Sequence, residues 1–128
     1  MVEFTTLRLE DGVPIYLQII RHVKAGIAAG TVVDGEELPS RRALSALLGV
    51  NPNTIQKAFR LLEEEGWLQS HTGAKSLISA TAEQVEALRK NLPDYQVRAF
   101  VRSMKALGAT CAETVALVET LWKEEEPE

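Results

Sequence analysis

The most constraining feature of this sequence is residues 38–66, where two helix starts and two helix stops follow each other closely. Ser40 is placed to cap a first helix, and Gly49 is placed to end it in the left-handed conformation. Asn51 can cap a second helix with Pro52 at its first position, where the missing N–H costs nothing. Such close spacing predicts two helices joined by a tight turn, the helix-turn-helix arrangement.

The second of these helices is predicted to have two chemically different faces. Apolar residues recur at helical spacing on one side; they are Ile55, Ala58, Phe59 and Leu62. The opposite side carries Asn53, Gln56, Lys57 and Arg60. Amide side chains suit adenine, and lysine and arginine suit guanine or phosphate, so the polar face predicts a recognition helix in the DNA major groove. An ordinary solvated surface helix is the alternative interpretation of the same stripe.

The flanking segments predict the rest of a DNA-binding domain in residues 1–79. Residues 4–9 alternate weakly and favour a short edge strand. Pro14 opens an apolar helix that Gly30 ends, and the first helix of the central pair is expected to pack through one face; that face carries Leu44, Leu47 and Leu48. Two β-prone runs at residues 67–70 and 76–79 surround a glycine-containing turn and predict a hairpin. Three helices and a hairpin indicate a winged helix-turn-helix, although a hairpin that only closes the core is the alternative.

Residues 80–128 are predicted to form a separate, helical C-terminal region. Thr81 with Gln84, and Thr110 with Glu113, match the capping-box pattern, and Pro93 is expected to separate the first two of three helices. So short a region makes a poor core by itself, so we expect its apolar faces to pack on the first domain, on a second copy of the chain, or on both. Dimerisation is the economical interpretation, and a helical cap on a monomer is the alternative. The predicted dimer-interface residues are Val97, Phe100, Val101, Met104, Val115, Val118, Leu121 and Trp122.

Charge and composition leave several function classes without support. The formal net charge is −4, but residues 14–78 carry seven cations and six anions, and the anions cluster at residues 34–37 and 63–65. A basic face on an acidic protein is sufficient to steer DNA. The lone Cys111 excludes an intramolecular disulfide. No membrane span, signal peptide, metal motif or cofactor motif is recognisable, so a cytoplasmic protein without a cofactor is predicted.

Two other functions compete with DNA binding as interpretations of this sequence. The only histidines, His22 and His71, have no partner at catalytic spacing, so an enzyme is not predicted, and His71 is assigned to the wing. The other competitor is a protein-interaction module that uses the winged helix for a protein partner. The acidic net charge and the composition of the wing favour that module slightly.

Several motifs resemble the DNA-binding domain of GntR-family bacterial transcription regulators. They are residues 14–19 (PIYLQI), 38–42 (LPSRR), 48–50 (LGV) and 64–68 (EEGWL). Residues 51–54 (NPNT), together with the short helical C-terminal region, are similar to the YtrA-like subfamily. This resemblance implies a homodimeric repressor that binds an inverted repeat in double-stranded DNA, often near an ABC-transporter operon. A small-molecule effector is left open.

The resemblance also implies roles for individual residues. The arginine of the family's LPSxR segment contacts phosphate and corresponds to Arg42, and the wing glycine corresponds to Gly73. The family's second wing glycine is replaced here by Lys75, which puts a close backbone approach in doubt and suggests a phosphate contact instead. Pro52 stands where many relatives carry arginine, so direct guanine reading is not expected there. The full set of predicted DNA-binding residues is Ser40, Arg41, Arg42, Asn51, Asn53, Thr54, Gln56, Lys57, Arg60, His71, Gly73 and Lys75.

Overall fold

The computed structural model describes residues 1–71 and 75–125, except the side chains of Leu92 and Tyr95. Its elements in chain order are α1 (Ile15–Ala29), α2 (Arg41–Leu48), α3 (Pro52–Glu64), β1 (Leu68–His71), β2 (Lys75–Ile78), α4 (Ala82–Ala106) and α5 (Cys111–Glu124). These residues contain no helix that is both long enough and apolar enough to cross a bilayer. The chain divides into two compact units, Met1–Arg89 and Lys90–Glu128. The predicted mainly helical fold with a small hairpin is confirmed, whereas the predicted domain boundary after residue 79 remains a prediction.

The ends of α2 and α3 follow from the capping residues that the sequence supplies. Ser40 Oγ accepts a hydrogen bond of 3.0 Å from the Ala43 N–H. Gly49 adopts a φ of 68°, which only glycine takes at little cost, and so ends α2. Asn51 Oδ1 accepts a bond of 2.8 Å from the Asn53 N–H and caps α3. The predicted helix-turn-helix is therefore present at the predicted residues.

Helix α3 lies at the centre of the first unit, where α1, α2 and β1 all pack against it. Ile55 and Leu62 of α3 are completely buried, as is Leu44 of α2. The prediction that Leu47 joins this apolar face is wrong, because its side chain is 55% exposed. Leu44 is the buried residue of α2 and Leu48 is half-buried, so only these two of the three leucines turn away from solvent.

The predicted edge strand at residues 4–9 is also wrong. The chain turns at this point, and the Leu7 N–H donates to the Phe4 carbonyl at 3.2 Å. Phe4 is buried and its ring centroid lies 4.9 Å from that of His22 on α1. His22 Nε2 lies 2.7 Å from the carbonyl oxygen of Glu3. Packing against α1 therefore determines the conformation of this segment, and its weak alternation does not.

The hairpin is anchored on its outer edge by a segment that the sequence did not reveal. Strands β1 and β2 are antiparallel, with Leu68 opposite Ile78. On the other side of β2, the Leu38 N–H donates to the Ser76 carbonyl at 2.9 Å, and the Ile78 N–H donates to the Glu36 carbonyl at 2.8 Å. The loop before α2 thus acts as a third short strand that fixes the base of the hairpin.

The first two turns of α4 belong to the first unit. Thr81 and Gln84 form the predicted capping box, with distances of 2.8 and 3.2 Å. Gln84 Nε2 also donates to the Gly66 carbonyl at 2.9 Å, just after α3. Arg89 Nε donates to the Ala28 carbonyl at 2.6 Å, near the end of α1. These bonds tie the start of α4 to the carbonyl ends of the two longest helices before it.

In the second unit, the predicted break at Pro93 is wrong, because α4 continues through it to Ala106. A proline inside a helix costs about 3 kcal/mol, but the helical turns on both sides keep their own backbone bonds. Asp94 and Arg98 form an ion pair of 2.7 Å across the following turn. Helix α5 begins with the predicted capping box, in which Thr110 and Glu113 exchange two bonds of 3.1 Å.

Candidate nucleic-acid interface

The recognition helix α3 presents its polar face to solvent, as its sequence predicts. Asn53, Gln56, Lys57 and Arg60 are all exposed. The opposite face is held in place because Ile55, Ala58, Phe59 and Leu62 are buried. The buried face fixes the rotation of the helix about its own axis, so the polar face cannot turn inward without exposing the core. This arrangement brings four predicted contact residues together on one continuous surface.

Capping restricts what Asn51 can do at the start of α3. Its Oδ1 accepts the Asn53 N–H, and this bond holds the amide of Asn51 in the orientation that caps the helix. Reading adenine with two hydrogen bonds requires both a donor and an acceptor on the same amide. Asn53 and Gln56, which lie exposed on α3, are therefore better placed to read a base in this way. Thr54 is half-buried, and its backbone N–H donates to the Asn51 carbonyl at 2.9 Å.

The start of α2 forms a second part of the same candidate surface. Ser40, Arg41 and Arg42 are all exposed. The Ser40 oxygen accepts the Ala43 N–H, which leaves its hydroxyl hydrogen free to donate to an acceptor such as a phosphate oxygen. The first-turn N–H groups of a helix and its dipole both favour an anion, and the two arginines add full positive charges there. This site suits the DNA backbone better than a base edge.

In the hairpin, the structure places two of the three predicted wing residues. His71 and Lys75 lie directly opposite each other in the β1–β2 register, and both are exposed. Gly73, the third, lies outside the described residues. Whether the wing tip approaches DNA closely therefore stays a prediction.

One contact on this surface was not predicted from the sequence. The ammonium nitrogen of Lys57 lies 4.0 Å from the centroid of the Tyr16 ring, a cation–π contact between α3 and the first turn of α1. Tyr16 is half-buried, and in the sequence it belongs to the motif at residues 14–19. The residues around Tyr16 in the sequence do not indicate this contact, because it depends on how α1 and α3 cross.

Comparisons with known sequences are consistent with this surface. The family model described as "Bacterial regulatory proteins, gntR family" matches residues 15–78. An uncharacterized HTH-type transcriptional regulator of Bacillus subtilis, YhcF, is 32% identical over 113 residues, which cover 88% of this chain and 93% of that protein. The HTH-type transcriptional repressor YtrA of the same organism is 41% identical over 69 residues, covering 54% of this chain and 53% of YtrA.

Solved structures resemble the chain in fold, one of them over most of its length. A GntR family transcriptional regulator from Listeria monocytogenes is 30% identical, with a TM-score of 0.72, and the match covers 88% of this chain and 98% of that one. The DNA-binding domain of AraR, solved in complex with operator ORR3, is 27% identical with a TM-score of 0.50 and covers 57% of this chain and 88% of that one. The first match includes C-terminal helices, whereas the second is confined to a DNA-binding domain.

Proposed function

The chain belongs to the GntR family of bacterial regulatory proteins, and we propose that it is a homodimeric repressor that binds an inverted-repeat operator. Family membership makes the chain a helix-turn-helix transcription regulator that binds DNA and not an enzyme, as predicted. The observation that carries the proposal is the exposed polar face of α3 opposite a buried apolar face. Its site of action is the cytoplasm, where bacterial operators are found.

The proposed DNA surface divides into residues that read bases and residues that hold the backbone. Asn53 and Gln56 read base edges, because their amides are exposed near the start of α3. Arg42, Lys57 and Arg60 contact phosphates, since cations on long side chains reach the backbone on either side of the groove. The remaining backbone contacts come from Ser40 and Arg41 at α2, Asn51 and Thr54 at the start of α3, and His71, Gly73 and Lys75 in the wing.

Exposed apolar side chains support the homodimer. The second unit leaves a set of large apolar residues 40–70% exposed: Val97, Phe100, Val101, Val115, Val118, Leu121 and Trp122. Met104, the remaining predicted interface residue, is half-buried. Helix α5 does not pack along α4 within the described residues, so neither helix covers the other's apolar face. So many exposed large apolar side chains on two consecutive helices are typical of an interaction surface.

Charge complementarity supports a second copy of the same chain as the partner. Residues 90–106 of α4 carry four cations and one anion, a net charge of +3. Residues 111–125, which include α5, carry one cation and four anions, a net charge of −3. Because each chain carries both surfaces, two copies can satisfy both by placing α4 of one copy against α5 of the other. A dimer of this kind provides two recognition helices for the two halves of an inverted repeat.

We propose repression, and not activation, as the sign of regulation. YtrA, which shares 41% identity over its matched region, is named a transcriptional repressor. A repressor whose operator overlaps a promoter excludes RNA polymerase by occupying the DNA. We extend the proposal to an ABC-transporter operon as the regulated target. Deleting the gene should raise the transcripts of such an operon, and lower transcripts would indicate an activator instead.

Duplex-binding measurements test the DNA surface. The probe is a labelled duplex from the region upstream of the protein's own gene, titrated with protein at several salt concentrations. Asn53→Ala should reduce discrimination between this duplex and a scrambled one, by roughly 5- to 100-fold. Arg60→Ala should weaken binding to both duplexes and lower the salt slope by about 0.9. Arg8→Ala, which removes an exposed arginine before α1, is the matched control and should change neither quantity.

Normal binding by both Asn53→Ala and Arg60→Ala would remove α3 from the DNA surface. Failure of the wild-type protein to bind any duplex, together with retention of a protein partner, would favour the protein-interaction module.

Sedimentation equilibrium tests the dimer. Arg102→Glu or Glu119→Arg alone should weaken self-association by roughly 5- to 10-fold, and the double variant should recover most of the loss, because the two faces then exchange charges. A wild-type protein that stays monomeric at micromolar concentration would contradict the dimer. Losses in the double variant that equal the sum of the single losses would contradict the pairing of α4 with α5.

A further inference from the structure

We propose that Tyr16 is a positioning residue that holds the Lys57 ammonium group at the edge of the recognition surface for contact with a DNA phosphate. This inference rests on the proposed function. Tyr16 lies in the first turn of α1, and Lys57 lies on the exposed face of α3. The distance of 4.0 Å from Lys57 Nζ to the Tyr16 ring centroid lies well within the range of a cation–π contact.

The contact matters because a free lysine side chain is flexible. Fixing its rotatable bonds when DNA binds costs conformational entropy, and that cost weakens the complex. A lysine already held over an aromatic ring has lost much of that freedom before DNA arrives. The ring touches only one side of the ammonium group, and Lys57 remains exposed, so its other N–H donors stay available to an anion.

Among the residues that the structure describes, no carboxylate forms an ion pair with Lys57. The ion pairs in that part of the chain involve other cations. Lys24 on α1, for example, pairs with Glu65 at 2.6 Å. An aromatic ring attracts the ammonium group without removing its net charge. Tyr16 therefore orients Lys57 while leaving its full charge for the DNA backbone.

The position of the ring also separates Lys57 from base reading. Lys57 shares the polar face of α3 with Asn53 and Gln56, so by sequence it is an equally good candidate for guanine. Its ammonium group lies over the Tyr16 ring, however, and therefore points toward α1 at the side of the recognition helix. A phosphate contact from this position raises affinity for every sequence and leaves base preference unchanged.

Three variants at Tyr16 and Lys57 test this role against simple packing. Tyr16→Phe keeps the ring, Tyr16→Leu keeps apolar volume without the ring, and Lys57→Met removes the charge. Binding is measured with two probes, the duplex from upstream of the protein's own gene and a mixed-sequence duplex of equal length. We expect Tyr16→Phe to bind both like wild type, and Tyr16→Leu to bind both about 2- to 5-fold more weakly.

The double variant separates positioning from independent effects. Lys57→Met should lower the salt slope by about 0.9 on both probes. Adding Tyr16→Leu to Lys57→Met should then weaken binding no further, because the ring has no ammonium group left to hold. Lys24→Met, which removes a lysine of α1 already paired with Glu65, is the control and should leave the salt slope unchanged.

A measurement without DNA keeps this inference distinct from the proposed function. In the free protein, the ring current of Tyr16 should shift the Lys57 ε-methylene protons upfield in the NMR spectrum. Tyr16→Phe should preserve this shift and Tyr16→Leu should abolish it, with the fold checked by the remaining amide resonances.

Each outcome bears on a different claim. The positioning role would be overturned if Tyr16→Leu reduced DNA affinity equally in the wild-type and Lys57→Met backgrounds. It would also be overturned if Tyr16→Phe reduced DNA affinity as much as Tyr16→Leu does. An unshifted Lys57 methylene signal would overturn the contact itself. Wild-type protein that binds neither duplex would overturn the proposed function, and the Tyr16 role in DNA binding with it.

Discussion

The two compact units of this chain differ in how far they bury their apolar side chains and pair their buried polar ones. In Met1–Arg89, a buried apolar core surrounds α3, and even the buried Gln18 has both ends of its amide bonded to the backbone of residues 10–13. In Lys90–Glu128, the large apolar residues of α5 remain 40–70% exposed. The first unit therefore has an apolar core of its own, whereas the second leaves the apolar side chains exposed that the proposed dimer would bury.

Because of this difference, we expect substitutions in the two units to change different properties of the protein. Substitutions in the first unit should change the free energy of unfolding at any protein concentration. Substitutions on the apolar face of the second unit should change association, and so have effects that depend on concentration.

The largest effect is expected from Leu62→Ala in the first unit. Leu62 is completely buried on α3, so its removal leaves a cavity and should lower the free energy of unfolding by about 2–5 kcal/mol. Leu47→Ala on α2 is the matched control, because that leucine is 55% exposed, and it should cost less than about 1 kcal/mol. Urea denaturation followed by circular dichroism measures both. Similar losses in the two variants would show that the core is not organised around α3.

The next effect is expected from Val118→Asp in the second unit. A carboxylate placed in an apolar contact must be desolvated, so we expect the dimer dissociation constant to rise at least about 100-fold. Leu107→Asp is the control, since Leu107 is 80% exposed and lies outside the predicted interface. Analytical ultracentrifugation compares the two variants. A dimer that tolerates Val118→Asp but not Leu107→Asp would place the interface elsewhere.

A smaller loss is expected from Gly26→Ala in α1. A Cβ at this position would lie 2.5 Å from Val32 Cγ2, where the chain folds back after the helix. Val32 is buried and cannot move aside freely, so the substitution should cost about 1–3 kcal/mol despite the higher helix propensity of alanine. Ala25→Gly, on the exposed side of the same turn, is the control and should cost about 1 kcal/mol through propensity alone. Thermal unfolding at one fixed protein concentration measures both.

The smallest effect concerns the pH dependence of α5. Hydrogen bonds with the backbone and side chain of Thr110 hold the pKa of Glu113 below its usual value. A carboxyl group with a lowered pKa in the folded state adds stability above its unfolded pKa, and that contribution is lost as the pH falls through the folded pKa. Glu113→Gln keeps a capping-box side chain without a titrating group, so it should remove this acid-dependent step. The helical signal during an acid titration of the two proteins checks the difference.

Local chemistry made the first unit predictable from sequence. Ser40, Gly49 and Asn51 set helix ends through bonds to their own neighbours, so their effect can be read without knowing the fold. The same holds for the capping box of Thr110 and Glu113. The polar and apolar faces of α3 follow directly from helical spacing. The family model that matches residues 15–78 covers these features of α2 and α3.

Contacts between distant residues account for what the sequence did not reveal. Phe4 is buried against α1, which turns a β-prone run into a loop. Leu38 pairs with β2 across a separation that no local pattern records. Pro93 is a helix breaker by propensity, yet the turns around it hold the helix together. Tyr16 reached the recognition surface only because α1 and α3 cross where they do.

The bonds from Gln84 and Arg89 to the ends of earlier helices have a consequence for building chimaeras from this protein. A fusion that joined a foreign sensor directly after the hairpin would discard both side chains and the buried Leu88. The carbonyls of Gly66 and Ala28 would then lose these hydrogen-bond donors. The ends of α1 and α3 would be less well held next to the foreign module. A splice placed after residue 89 keeps these residues with the DNA-binding part. Modular exchange in this chain is therefore best made inside a helix rather than in the loop before it.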